Sequence, residues 1–164
     1  MTVLQSRRIW RKTCFLAVIA FNQTRVRRLS FNGFGTSRLL SYKPSMTPRE
    51  LVQLWVQTFN RADAEGLASF YADDAVNHQV AEAPVHGKAA IRQMFTDSFA
   101  TATMVCIVEN IFEDGQWAIL EWRDPLGLRG CGFFHVVGDK IVFQRGYWDK
   151  LTFLRQQGLP LPNE

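Results

Sequence analysis

The chain has 164 residues, of which 47% are hydrophobic and 13% aromatic, enough to form the core of one domain. Its net charge of +4 is unevenly divided: residues 1–49 hold ten basic and no acidic residues, whereas residues 50–164 hold nine basic and fifteen acidic residues, a net charge of −6. Because nucleic-acid binding needs basic charge on a folded face, this distribution argues against a nucleic-acid-binding domain in residues 50–164.

Residues 1–45 are rich in Arg and Ser, contain no acidic residue and show no sustained periodicity. Three interpretations stay open: a disordered or mis-assigned extension before a true start at Met46, a signal peptide built on the apolar run at 14–21, or an organelle transit peptide. That apolar run is far shorter than the roughly 20 residues that a membrane span needs. We therefore expect a cytoplasmic protein without membrane contact, or an organelle-targeted or exported one if residues 1–45 are a leader.

The segment TPRE at 47–50 is typical of a helix start, with Thr47 as the N-cap and Glu50 completing a capping box. The apolar residues that follow repeat at helical spacing through Asn60: Leu51, Leu54, Trp55 and Phe59. We therefore predict a folded domain over residues 46–164 that begins with this helix.

The next predicted elements are a helix at 64–71, a strand at 75–80 and a helix at 88–100. Beyond Thr101 the apolar pattern changes to period two, which indicates strands. Four strands are predicted, at 104–113, 116–124, 128–137 and 140–149. This order predicts an α+β fold in which three N-terminal helices pack on a curved, mostly antiparallel sheet.

Four segments of the sequence resemble the SnoaL-like branch of the nuclear transport factor 2-like superfamily, whose relatives include polyketide cyclases, ketosteroid isomerases and limonene epoxide hydrolase. They are YADDAV at 71–76, HGKAAIRQMF at 86–95, NIFEDG at 110–115 and GDKIVFQRGYWD at 138–149. The resemblance covers residues 47–164 and implies a cone-shaped fold whose helices and concave sheet face enclose a pocket for a small apolar ligand. It does not select one activity, because this fold carries many functions.

The resemblance also implies a homodimer, because relatives commonly pair through the outer face of the sheet. Trp117, Trp122 or Trp148 would supply the apolar patch that such an interface needs.

Asp149 stands in the most aromatic segment of the chain, QRGYWDKLTF at 144–153, and its carboxylate there needs an explanation. If Asp149 points inward, strand alternation turns Tyr147 inward as well, and the resemblance turns Phe133 and His135 to the same side. Loss of water among these rings would raise the pKa of Asp149 towards the range of a general base. The other interpretation is a solvated polar end to the strand.

The resemblance to limonene epoxide hydrolase implies roles for several of these residues. Asp149 matches the aspartate that deprotonates the attacking water, and Asn77 and Gln79 fall where that enzyme orients the water. Its acid comes from an Arg-x-Asp pair, which falls near Asp124. Here Arg123 is adjacent to Asp124, so the two side chains point to opposite faces of a regular strand.

We therefore predict a small-molecule enzyme that uses Asp149 for isomerisation, cyclisation or water addition, with Asp124 or His135 as the candidate proton donor. The alternative is a non-catalytic ligand-binding or dimerisation module of the same fold. The pocket would be lined by Trp55, Phe59, Phe133 and Tyr147. We expect no metal or cofactor, because the three histidines lack HxH or HExxH spacing and the three cysteines lack CxxC spacing.

Overall fold

In the computed structural model, which describes residues 46–162, four helices pack on one six-stranded sheet. In chain order the elements are α1 (Pro48–Phe59), α2 (Ala64–Ser69), β1 (Tyr71–Gln79), β2 (Val85–His86), α3 (Lys88–Thr101), β3 (Ile107–Asp114), β4 (Trp117–Arg123), β5 (Arg129–Val137), β6 (Lys140–Trp148) and α4 (Lys150–Gln157). The predicted α+β fold is confirmed. The interpretations of residues 1–45 lie outside the described residues.

The strands are ordered β2-β1-β6-β5-β4-β3 across the sheet. All neighbouring strands are antiparallel except β1 and β6, which run parallel. The long connection from β1 to β6 therefore includes α3 and the four strands β2 to β5. The predicted run of four antiparallel strands corresponds to β3 through β6.

The predicted capping box at the start of α1 is present. Thr47 Oγ1 accepts a hydrogen bond from Glu50 N at 3.2 Å, and Glu50 Oε2 accepts one from Thr47 N at 2.9 Å. Leu51 and Trp55 of the predicted apolar stripe are buried, whereas Leu54 is 41% exposed. The helix therefore begins where the sequence predicts, and its buried face includes Val52 and Val56 instead of Leu54.

Apolar side chains of α1, α2 and α3 fill the space against one face of the sheet, which we call the inner face. Six of the core residues are almost fully enclosed: Leu51, Leu67, Ile91, Leu120, Phe134 and Ile141. Each such side chain stabilises the fold by about 1.5–3 kcal/mol relative to exposure in water. None of the helices in residues 46–162 combines the length and apolar character that crossing a bilayer requires.

Three elements differ from the predicted ones. α2 ends at Ser69, so Tyr71 begins β1 rather than ending a helix, and the pairing of β1 with β6 is irregular between Tyr71 and Val76. The short strand β2 was not predicted. The last predicted strand stops at Trp148, and α4, which was not predicted, follows at once.

We expect a protein that begins at Met46 to melt within a few degrees of the full chain. The backbone nitrogen of Met46 donates to Asp139 Oδ1 at 3.1 Å, and a free amine at that position would keep a donor beside the carboxylate. Circular dichroism melting curves of the two proteins make the comparison. As a control, Thr47→Ala in the shortened protein removes the cap and should cost about 1 kcal/mol. A drop of many degrees on truncation alone would show that residues 1–45 stabilise the domain.

Candidate ligand-binding site

A cavity of about 700 Å³ lies between the helices and the inner face of the sheet. Its walls are mainly apolar, and aromatic rings from the helices and the sheet contribute much of the lining: Trp55, Phe59, Phe95, Trp122, Phe134, Trp148 and Phe153. This size and lining are typical of a site for a small organic molecule. Trp55 and Phe59, predicted as pocket residues, both line it, and their rings stack at 5.2 Å.

Strand β6 presents Gln144, Gly146 and Trp148 to the cavity. Tyr147, between two of these residues, therefore points to the opposite, outer face, because side chains alternate along a strand. The pairing of β5 with β6 sets Phe133 opposite Arg145, and these two residues lie on the outer face with Tyr147. The prediction that Phe133 and Tyr147 line the pocket is therefore wrong, because both side chains lie on the opposite face of the sheet.

Asp149 caps α4 and does not face the cavity. Its Oδ1 accepts from Thr152 N at 3.1 Å and its Oδ2 accepts from Thr152 Oγ1 at 3.0 Å. These hydrogen bonds hold the pKa of the exposed carboxyl below its ordinary value. The prediction of a desolvated base with a raised pKa is therefore wrong: β6 ends one residue earlier, so strand alternation does not govern the direction of Asp149.

His135 also lies on the outer face. Its ring stacks on Trp117 with centroids 4.5 Å apart, and its Nε2 is 3.3 Å from Gln116 Oε1. In the pairing of β5 with β6 it stands opposite Phe143, whose side chain lines a small outer hollow with Trp117. The prediction that His135 donates a proton in the pocket is therefore wrong, because its side chain lies on the face of the sheet away from the pocket.

Asn77 and Gln79 line the cavity, where the sequence predicts them. A row of hydrogen bonds links them to β6: Trp148 Nε1 donates to Gln79 Oε1 at 3.1 Å, and Gln79 Nε2 donates to Asn77 Oδ1 at 2.8 Å. Asn77 Nδ2 in turn donates to Gln144 Oε1 at 3.0 Å. The role of Asn77 and Gln79 towards a ligand stays a prediction.

The same row continues into the helical layer. Tyr71 Oη donates to Gln144 Oε1 and accepts from Trp55 Nε1 at 3.1 Å. Burial raises the pKa of Tyr71, so its phenol is neutral at physiological pH. We call these six residues the amide network: Trp55, Tyr71, Asn77, Gln79, Gln144 and Trp148. Every member is uncharged, so the network can donate and accept hydrogen bonds but supplies no base.

Gly146 makes room for the amide network. A β-carbon at position 146 would overlap the amide of Gln79, which lies directly over the β6 backbone. The absent side chain at Gly146 therefore lets Gln79 reach both Asn77 and Trp148.

Asp124 is the predicted catalytic residue that the structure places in the cavity wall. It follows β4 and is 8% exposed, and its Oδ1 accepts from Leu126 N and Leu128 N, both at 2.8 Å. Arg123 pairs with Glu109, with Nε 3.6 Å from Oε1. The Arg–Asp clamp that the sequence put in doubt is therefore not formed by these two side chains.

The two thiols near the cavity have little nucleophilic character. Burial raises the pKa of Cys106 to about 12, and burial together with the nearby Glu121 raises the pKa of Cys131. Within residues 46–162, no group of three or more His, Cys, Asp and Glu side chains is arranged to hold a metal ion.

Residues 52–144 match the family model described as the SnoaL-like domain. The chain belongs to the SnoaL-like family. No curated protein matches the sequence.

Solved structures of similar fold have low sequence identity to this SnoaL-like protein. One, from Catenulispora acidiphila, has a ketosteroid isomerase-like fold and is in complex with trimethylamine, with a TM-score of 0.63 at 18% identity over 70% of this chain and 96% of that one. A nuclear transport factor 2-like protein from Cytophaga hutchinsonii has a TM-score of 0.58 and 14% sequence identity. The match covers 68% of this chain and 98% of that one. SalBIII, an epoxide hydrolase/cyclase-like enzyme of pyran ring formation in salinomycin, has a TM-score of 0.56 and 18% sequence identity. The match covers 63% of this chain and 92% of that one.

Sequence reasoning did not identify Tyr71, Gln144 and Trp148 as site residues. Once β6 is known to end at Trp148, its alternation places Gln144 and Trp148 on one face. Tyr71 gives no such signal, because it was predicted as the last residue of a helix.

We expect Asp149→Ala to fray α4, because it removes both hydrogen bonds to Thr152. Asp149→Asn keeps a side-chain oxygen and should retain most of the cap. The folded-state pKa of Asp149 is lowered, so its charge stabilises the fold above the ordinary value of 3.8 and this contribution is lost as pH falls through the lowered pKa. Melting temperatures of wild type and Asp149→Asn should therefore converge in acid. A large fall in ligand affinity for Asp149→Asn with α4 intact would contradict this assignment.

Proposed function

We propose that residues 46–162 bind a small, largely apolar molecule in the cavity between the helices and the inner face of the sheet. The observation that carries this proposal is a cavity of about 700 Å³ with aromatic walls and a row of polar groups at one side. Binding sites for small molecules have this composition, in which apolar walls supply affinity and a few polar groups fix the orientation.

The amide network supports recognition of a ligand oxygen. Gln144 Oε1 accepts from both Tyr71 and Asn77, and its Nε2 donates to no other residue within 46–162. Gln144 lines the cavity, so a ligand oxygen there can accept a hydrogen bond from this amide.

An enzyme that transfers a proton is the second candidate. It is favoured by Asp124, whose carboxylate lies in the cavity wall, and by the similarity in fold to the enzyme SalBIII. The isomerisation, cyclisation or water addition predicted from the sequence would then depend on Asp124 instead of Asp149. Conversion of a bound ligand by wild type, lost in Asp124→Asn while binding persists, would select this candidate.

The binding proposal is tested by a panel of apolar ligands, first by thermal shift and then by quenching of the tryptophan fluorescence. Phe59→Ala removes a ring from the cavity wall and should weaken binding of any hit about tenfold, the equivalent of about 1.4 kcal/mol. The matched control is Phe112→Ala, because Phe112 is 56% exposed and absent from the cavity lining. Equal weakening by both variants, or no hit at millimolar concentrations, would count against the cavity as the binding site.

We also propose that two chains pair through the outer face of the sheet. Strand registers set Phe112, Ile119, Phe133 and Arg145 side by side across β3 to β6 on this face. Trp117 and Tyr147 add partly exposed rings there, 38% and 42% accessible. Trp122 and Trp148, expected at the interface from the sequence, line the cavity instead.

Light scattering at tens of micromolar should give twice the mass of one chain. Tyr147→Arg should shift the protein towards a monomer, because it removes an exposed ring and puts a second positive charge near Arg145 on the outer face. Leu54→Arg is the control, since Leu54 is equally exposed but lies on α1. A monomeric wild type would overturn the pairing proposal.

A further inference from the structure

We infer that the molecule bound in the cavity carries a positive charge, as an organic amine or quaternary ammonium ion whose cation lies beside Asp124 and the indole of Trp122. The inference rests on the proposed binding function and adds the chemical class of the ligand. It follows from three observations: a buried carboxylate without a cationic partner, the sign of the charges around the cavity, and an aromatic ring that lines the same cavity.

Asp124 is a buried carboxylate without a cationic partner. Among the buried polar residues of 46–162, which are Thr58, Asn77, Asp124 and Gln144, only Asp124 carries a carboxylate. Its Oδ1 accepts two backbone hydrogen bonds, whereas its Oδ2 has no hydrogen bond or ion pair to another described residue. A cation placed against this second oxygen would pair with the charge of the carboxylate.

Shaping the turn after β4 explains only part of this arrangement. The bonds from Leu126 N and Leu128 N to Oδ1 would hold the turn with a neutral Asn as well. They stabilise the charge only in part, because the second oxygen accepts none of them.

The other charges around the cavity favour a cation and disfavour an anion. No Arg or His of residues 46–162 lines the cavity. The lining lysine, Lys150, is 2.6 Å from Glu82, so its charge is balanced at the rim. Asp97 and Asp124 remain, and two carboxylates around an apolar chamber lower the energy of a bound cation.

Trp122 gives the cation a second contact. It lies two residues before Asp124, and both residues line the cavity. The indole packs over Gly130, where a β-carbon would come within 2.6 Å of its Cζ2. A carboxylate and a fixed aromatic ring that line the same cavity suit an alkylammonium group, which binds aromatic faces through their quadrupole.

The test compares three probes by fluorescence titration of the same protein. Benzyltrimethylammonium is the cation, 2,2-dimethylpropylbenzene is its uncharged isostere, used below its solubility limit, and phenylacetate is the anion. We expect the cation to bind wild type at least about tenfold more tightly than the isostere. Phenylacetate should bind more weakly than either.

The variant Asp124→Asn keeps the Oδ1 acceptor and removes the charge, so it should lower affinity for the cation about tenfold or more. Its affinity for the isostere should stay within about twofold, because the apolar contacts are unchanged. Asp114→Asn is the matched control, since Asp114 is exposed at the end of β3 and should leave all three affinities as they are.

The outcomes separate this inference from the proposed function. Equal affinity of wild type for cation and isostere would overturn the charge inference and leave the binding function in place, whereas no saturable binding of any probe would count against both. Preference for the cation that survives Asp124→Asn would overturn Asp124 as its partner. Should Asp124→Asn fail to fold, as its melting curve would show, the wild-type comparison of the three probes still decides the charge of the ligand.

Discussion

The buried amide network is the constraint on which the rest of the site depends. An unpaired polar group in the interior costs about 1–3 kcal/mol, so the six residues of the network are stable there only when they meet. They come from three elements: α1 supplies Trp55, β1 supplies Tyr71, Asn77 and Gln79, and β6 supplies Gln144 and Trp148. Their bonds therefore hold the helical layer and the parallel strand pair together, and they leave the cavity one neutral polar side.

The charge of the site lies elsewhere in the sheet. Asp124 follows β4, which is separated from β6 by β5, so the two kinds of polar group are about 10 Å apart across the strands. Aromatic rings fill the wall between them, including Phe134 of β5. A molecule that satisfies both ends therefore has a polar oxygen and a charged group at opposite ends of an apolar body.

Local signals in the sequence predicted most of the fold. The capping box at Thr47 and the period-two segments after Thr101 depend on neighbouring residues only, and they were placed within a few positions. Short elements with little burial were harder: α4 has no buried residue, and β2 has two residues. The stretch from Tyr71 to Asp74 is largely polar and pairs irregularly with β6, so its strand character comes from tertiary contacts.

The site was less predictable than the fold, because it depends on which face of the sheet each side chain occupies and on contacts between residues far apart in the sequence. Taking Asp149 as an inward-pointing strand residue reversed the face assigned to Tyr147, and the resemblance placed Phe133 and His135 on that same side. Asn77, Gln79, Trp55 and Phe59 do line the cavity, since their positions did not depend on the direction of Asp149, and their role towards a ligand stays a prediction. Besides its neighbour Gln79, Asn77 contacts Gln144, 67 residues away, and Tyr71, six residues away, and no local pattern predicts these two contacts.

The contact of Gln79 with Gly146 makes these two positions a single unit for protein engineering. In a library that varies position 146 alone, every side chain there displaces the amide of Gln79, and the resulting loss of its hydrogen bonds would be attributed to the backbone of β6. When both positions are varied together, a smaller residue at position 79 frees the space that a side chain at position 146 would fill. New pocket shapes are therefore reached by paired substitutions, and relatives that carry a side chain at the position of Gly146 should have a shorter residue at that of Gln79.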